Sequence, residues 1–308
     1  MRPPAAQPYA EWRIHLGAHK TATTYIQIIL ERMAHDLNGN GVDVLVPQLG
    51  LRDANLLRPY SLRRPATWLL PGARNLTGRI SHLRQGHPVA LLSEENLLGP
   101  PGNVIRGNFY KNSLLLKILG DLARRTPTTL YLSVRSPATF LPSIYAESLR
   151  HEAAPAGGFD NVIRWVSRRA PRWSGLVSDL KAAAPSARLV IWRYEDFRNN
   201  DAAILSELCG IKVALPAEPA DTLRTQSGSA NAVRLAERLG PEMEADERRR
   251  RVHEIYTDPG SAGPPFRPFP PDLIKSLELS YELDLHEIRR ISPGSLMEFG
   301  GPRATYAA

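Results

Sequence analysis

With 308 residues, 43% of them hydrophobic, the chain is long enough to bury a substantial core as one large domain or two smaller ones. Its formal charge of +8 suggests an anionic partner, yet only six of the 39 basic side chains are lysines, and no basic stretch interleaved with aromatics marks a nucleic-acid binder. A single cysteine, Cys209, excludes an internal disulfide and, without a cysteine-histidine pattern, argues against a structural zinc site.

In chain order, residues 1–11 are proline-rich and read as a flexible tail without the apolar core of a signal peptide. No later stretch approaches the ~18 apolar residues of a membrane span, so a soluble, cytoplasmic protein without a membrane partner is expected. "WRIHLG" reads as a strand and "TTYIQIILERMAHDL" as a helix, followed by the strand "VDVLVP". Residues 47–72, rich in proline and arginine, suit a covering segment. Next come the strand "PVALLS", the helix "NSLLLKILGDLARR", the strand "TTLYLSV", the helices "ATFLPSIYAESLRHE" and "WSGLVSDLKAAA", and the strand "ARLVIWRY".

This alternation predicts an α/β fold, a three-layer sandwich with a central, mainly parallel sheet whose ligands sit at the carboxyl ends of the strands. From about residue 200 the pattern is mainly helical, with "AAILSELCG", "NAVRLAERLG" and "PPDLIKSLELSYELDLHEIRRI" expected as extra C-terminal helices on the same core. Residues 1–308 are thus read as a single domain. "ERRRRVHEIY", set among acidic residues, suits an exposed helix face, and "TDPGSAGPPFRPFPP" reads as a mobile connector.

Between the first strand and the first helix lies "GAHKTATT". Amides at a helix start and the positive end of its dipole make an anion site. Lys20 adds a compact ammonium, and the threonines, of which Thr21 or Thr23 is expected to cap the helix, add neutral donors. The spacing does not match the nucleoside-triphosphate motif G-x-x-x-x-G-K-[ST], since only Ala18 and His19 separate Gly17 from Lys20. The competing reading is an ordinary strand-to-helix turn with a threonine cap.

At Gly17, His19, Lys20, Thr21, Ala22, Thr23 and Thr24 the sequence resembles the sulfotransferases that use 3′-phosphoadenosine 5′-phosphosulfate (PAPS). The resemblance implies a P-loop-like sandwich, a loop around the 5′-phosphosulfate, and Lys20 beside the bridging oxygen that leaves with 3′-phosphoadenosine 5′-phosphate (PAP). It extends to "VRSPATFLPS", where Arg135 and Ser143 match the family's 3′-phosphate ligands, and to "LLSEEN", where Glu95, with Glu94 as competitor, matches the catalytic base. Arginine forks suit phosphate oxygens, and a serine on the following helix reaches the same group. Glu195, in "LVIWRYEDF", is read as structural. The three matched elements span roughly residues 12 to 200. "LRTQSGSAN" is offered as the nucleotide-closing segment through Arg224, Ser227 or Ser229.

The function these residues imply is transfer of a sulfuryl group from PAPS to a hydroxyl or amine of a small-molecule or carbohydrate acceptor, without a metal. A nucleotide-binding module without turnover and a metal-dependent nucleotide kinase are the alternatives. Arg58, Arg63, Arg64 and Trp68 are candidates for holding the acceptor; neither its identity nor the oligomeric state is legible.

Overall fold

The computed structural model describes residues 9–51, 80–111, 113–215 and 228–300. Five strands, β1 (Glu11–His15), β2 (Val42–Leu45), β3 (Val89–Ser93), β4 (Thr128–Val134) and β5 (Arg188–Arg193), form one sheet in the order β2-β3-β1-β4-β5, with every neighbouring pair parallel. They coincide with the five apolar runs read from the sequence. The runs are almost continuously apolar because a parallel sheet is covered on both faces.

The helices are α1 (Thr23–Arg32), α2 (Ala34–Gly39), α3 (Pro101–Ile105), α4 (Ser113–Ala123), α5 (Pro137–Ser148), α6 (Gly158–Arg168), α7 (Trp173–Ala183), α8 (Tyr194–Cys209), α9 (Ala230–Ala236), α10 (Ala245–Thr257) and α11 (Pro271–Ile291). The single helix expected after the first loop is divided at Met33, and α8 is kinked at Asn200. On one face of the sheet Ile26, Leu30 and Leu37 pack with Val190, Trp192 and Leu205. On the other, Ile14 and Leu132 pack with Phe140, Trp173, Leu180 and Ile288. The result is α/β with helices on both sides of a five-stranded parallel sheet.

The C-terminal helices contribute to this second cluster through Val233, Val252, Leu277, Tyr281 and Leu285. Asp284 is buried and accepts from the Trp173 amide at 2.6 Å, so α11 caps the start of α7. Past α11 the chain returns to the sheet, where Met297 donates to Ile191 O and Ile191 donates to Ser295 O, both at 2.7 Å. Residues 295–297 thereby lie against the outer side of β5.

Three local expectations change. Tyr9 is buried edge-on against Trp12 at 5.0 Å and the Ala10 amide donates to Pro88 O, so the described end of the tail belongs to the fold. The glycine- and proline-rich connector is pinned: Phe269 lies 5.0 Å from Phe159, and Phe266 stacks on Tyr145. Within the exposed arginine run of α10, Arg248 is buried and donates to the carbonyl of Gly240. No helix among the described residues is long and apolar enough to cross a membrane. Arg58, Arg63, Arg64, Trp68, Arg224 and Ser227 lie outside the described residues.

Candidate functional site

The connection leaving β1 runs toward β2 and β3, whereas the one leaving β4 runs toward β5, so the sheet's topological switch lies between β1 and β4. Such a switch opens a crevice at the carboxyl ends of the strands. The loop 16–22 leaves β1 there, and Arg135 leaves β4.

The loop has an unusual backbone. Gly17 has φ 93°, and both Lys20 (φ 58°) and Ala22 (φ 67°) lie in the left-handed region, which costs a residue bearing Cβ about 1–2 kcal/mol. Its surroundings hold it there. Thr21 and Thr23 donate their hydroxyls to the carbonyl of Ala18 at 2.7 and 2.9 Å. The expected threonine cap is therefore absent: Ala22 is the N-cap of α1 and the two hydroxyls brace the loop from inside. Thr21 and Thr23 are buried while Thr24 is half-buried, so what the loop presents at the helix start is backbone. The first amides of a helix lack intrahelical partners, which keeps the site suited to an anion.

Arg135 extends a guanidinium across the crevice to the loop. Its Nη1 donates to Lys20 O at 2.6 Å, its Nε donates to Thr139 Oγ1 at 3.1 Å, and the group lies 4.4 Å from the centre of the Tyr194 ring. The fork expected to grip a phosphate is thus seen to fasten the loop after β1. Its own turn is held by two bonds, the second braced in turn by Tyr281. Trp173 Nε1 donates to Arg135 O at 2.8 Å, Glu195 accepts from the Ser136 amide at 2.8 Å, and the Tyr281 hydroxyl donates to Glu195 at 3.1 Å. Ser143 is half-buried on α5, one turn before Glu147.

β3 ends at Ser93, whose Oγ meets Nδ1 of the buried His15 at 2.8 Å. The strand stops there, because Glu94 caps a short 3-10 turn over Glu95–Leu98 by accepting from the Asn96 amide at 3.0 Å. Glu95 is positioned instead by contact with the loop. A Cβ built on Gly17 would lie 2.9 Å from Glu95 Cβ, so only glycine allows the two segments to come this close. Burial raises the Glu95 carboxyl to about 7; the charge of Glu147 adds to the rise, and the Thr23 hydroxyl, Lys20 and His151 oppose it.

Glu94 performs a different task. It accepts from Asn96 Nδ2 at 2.7 Å, which turns Asn96 Oδ1 toward His19 Nε2 at 3.3 Å. That nitrogen must then carry the proton, leaving Nδ1 to accept from the Tyr110 hydroxyl at 3.1 Å. Burial holds His19 down to about 4, so the ring is neutral at physiological pH. Both of its nitrogens are engaged within the protein, which fixes the orientation of the ring in the loop.

Lys20 Nζ lies 3.5 Å from Glu147 Oε2, and the same carboxylate has Arg150 Nε at 3.5 Å and His151 Nε2 at 3.6 Å. Burial by itself would raise Glu147, but the hydrogen bond from His151 and the charges of Lys20 and Arg150 prevail and hold it at about 2. Sequence reading did not single out Glu147, Arg150 or His151. The available signal was spacing: Ser143 and Glu147 lie four residues apart on one face of α5, and Arg150 and His151 follow just past its end.

No protein-family model matches this chain, and no curated protein matches it. The site therefore stands on its own chemistry: a lysine, a carboxyl with pKa near neutrality and an arginine, gathered at the mouth of a parallel sheet.

Proposed function

We propose that the chain is a PAPS-dependent sulfotransferase with a P-loop-like architecture, moving a sulfuryl group to a hydroxyl or amine acceptor. The observation that carries this reading is the approach of Glu95 to the loop bearing Lys20, made possible by Gly17. A phosphate-suited loop and a carboxyl tuned close to neutral pH then share one crevice. A general base works best with a pKa near the working pH, and Glu95 at about 7 meets that condition.

In the proposed reaction the acceptor oxygen or nitrogen attacks sulfur in line. The new bond to sulfur forms as the bond from sulfur to the bridging oxygen of the 5′-phosphate breaks. PAP leaves with the electron pair, and the acceptor's proton passes to Glu95. Lys20 is assigned to the charge that builds on the bridging oxygen, and alignment with charge stabilisation supplies most of the acceleration, as in phosphoryl transfer. Arg135 and Ser143 are assigned to the 3′-phosphate, with Gly17, His19, Thr21, Ala22, Thr23 and Thr24 shaping or lining the cradle beneath the 5′ end.

The test is thermal stabilisation by PAP, AMP and ATP without magnesium, since a ligand that binds only the folded state raises its melting temperature. PAP is expected to give the largest shift. Equal shifts for all three, or a dependence on magnesium and triphosphate, would overturn the reading. Stabilisation by PAP without transfer from PAPS to any of a panel of alcohols, sugars and amines would favour a binding module without turnover.

A further inference from the structure

Lys20 is held in an incomplete way. Its backbone is fixed: the residue sits at φ 58° and its carbonyl accepts from Arg135 at 2.6 Å. Its ammonium, by contrast, has one carboxylate partner at 3.5 Å, well beyond the 2.7–2.9 Å of a tight charge-assisted bond. The partner, Glu147, is differently placed. If Lys20 withdrew, Arg150 would still lie 3.5 Å from one of its oxygens and His151 3.6 Å from the other. Glu147 can therefore lose the lysine without becoming an orphaned buried charge, which is the usual obstacle to breaking such a pair.

We infer that Glu147 is an internal competitor for the anion loop: its carboxylate occupies the Lys20 ammonium in the empty protein and releases it to an incoming phosphate or phosphosulfate, retreating onto Arg150 and His151. Identification of the anion as a nucleotide rests on the proposed function; the competition itself rests on the ion pair alone.

The groups surrounding Glu147 fit this exchange. Lys20 faces it from the loop, Arg150 and His151 from the turn that follows its own helix, Glu95 from the turn after β3, and Tyr256 from α10. Held at about 2, the carboxylate stays charged across the physiological range, so displacement by an anion, rather than protonation, is what frees Lys20. The competitor also sits on the same helix face as Ser143, so one helix would carry both a ligand contact and the group the ligand displaces.

Titration calorimetry with inorganic pyrophosphate and with PAP, on the wild type and Glu147→Gln, tests the idea. Glu147→Gln is expected to bind pyrophosphate about three- to ten-fold more tightly, the scale of losing a partly buried ion pair that opposes binding. Glu152→Gln makes the same change of charge at a residue paired with Arg106, away from Lys20, and is expected to change affinity little. In a Lys20→Met background the gain from Glu147→Gln should vanish. Unchanged or weaker pyrophosphate binding by a Glu147→Gln protein with wild-type circular dichroism would overturn the inference. An equal gain in Glu152→Gln, or persistence of the gain without Lys20, would also overturn it, since the effect would then be a general field. PAP binding no tighter than pyrophosphate in either protein would instead count against the nucleotide reading while leaving the competition standing.

Discussion

Arg135 Nη1 donates to the backbone carbonyl of Lys20 at 2.6 Å, joining the turn after β4 to the loop after β1 across the switch point of the sheet. The bond ties together the two segments assigned to opposite ends of one nucleotide, so loss of the arginine should be felt at both. Arg135→Ala is expected to weaken PAP binding about ten- to hundred-fold, the scale of a charge-assisted hydrogen bond worth ~1.5–3 kcal/mol, and Ser143→Ala to weaken it less. Amide exchange at residues 18–22 should quicken in Arg135→Ala alone. Wild-type affinity together with unchanged exchange would remove Arg135 from both roles.

Lys20→Ala separates binding from chemistry. Charge accumulates on the bridging oxygen only as its bond to sulfur breaks, so the lysine's contribution belongs mainly to the transition state. Turnover from PAPS should fall by roughly 100-fold or more while PAP affinity changes far less, because the variant also relieves the competition from Glu147. Kinetics in which only KM for PAPS changes would contradict the assignment.

Glu95 has a signature that can be read without an acceptor. Its carboxyl titrates at about 7 in the fold against an ordinary value of 4.5, so folding favours the protonated form. The stability this provides is complete below pH 4.5 and is lost as the pH rises through 7. Glu95→Gln, which cannot ionise, should match the wild type in urea melts at pH 4 and exceed it by about 3 kcal/mol at pH 8. Parallel pH profiles for the two proteins would mean that Glu95 titrates normally. In activity the same substitution should cost roughly 100-fold, as for a lost general base.

Gly17→Ala probes the contact that brings Glu95 to the loop. The new methyl would meet Glu95 Cβ at 2.9 Å on a backbone with φ 93°, so a loss of about 2–3 kcal/mol is expected, with Glu95 displaced. Chemical denaturation gives the first quantity, and the shift of the Glu95 carboxyl titration in a carbon-13 spectrum gives the second. A silent substitution would show that the loop and the turn after β3 separate freely.

Glu94→Gln should differ from Glu95→Gln in kind. Its amide can present both a donor and an acceptor to Asn96, so the orientation of Asn96 is no longer dictated and His19 loses its fixed tautomer. Nitrogen-15 spectra of the imidazole should change from a single Nε2-protonated form to a mixture, with turnover reduced only modestly. A single tautomer in the variant would show that Tyr110 alone sets the ring.

The sheet was legible because parallel strands covered on both faces are written as apolar runs, and "TTLYLSV" or "PVALLS" allows few other readings. The loop was legible in chemical type, but its interior was not. Threonine side chains next to a helix start suggest caps, and only the fold shows that Thr21 and Thr23 turn to Ala18 while Ala22 accepts a conformation better suited to glycine. What positions Glu95 was not legible, since the strand ends at Ser93 and the approach to Gly17 is a contact between segments 78 residues apart. Glu147 stayed hidden because a glutamate followed by an arginine and a histidine near a helix end looks like an ordinary local ion pair; its partner Lys20 is 127 residues away.

The return of residues 295–297 to β5 bears on how the chain matures during synthesis. The open flank of β5 cannot receive its last backbone partners until Met297 has cleared the ribosome, long after all five strands have been made. A nascent chain ending at Ile291 would present the Ile191 amide and carbonyl unpaired on an apolar strand, a surface that invites pairing with another chain. Stalled or truncated products of this length should therefore depend on holdase chaperones, and that dependence should end abruptly within a few further residues of elongation.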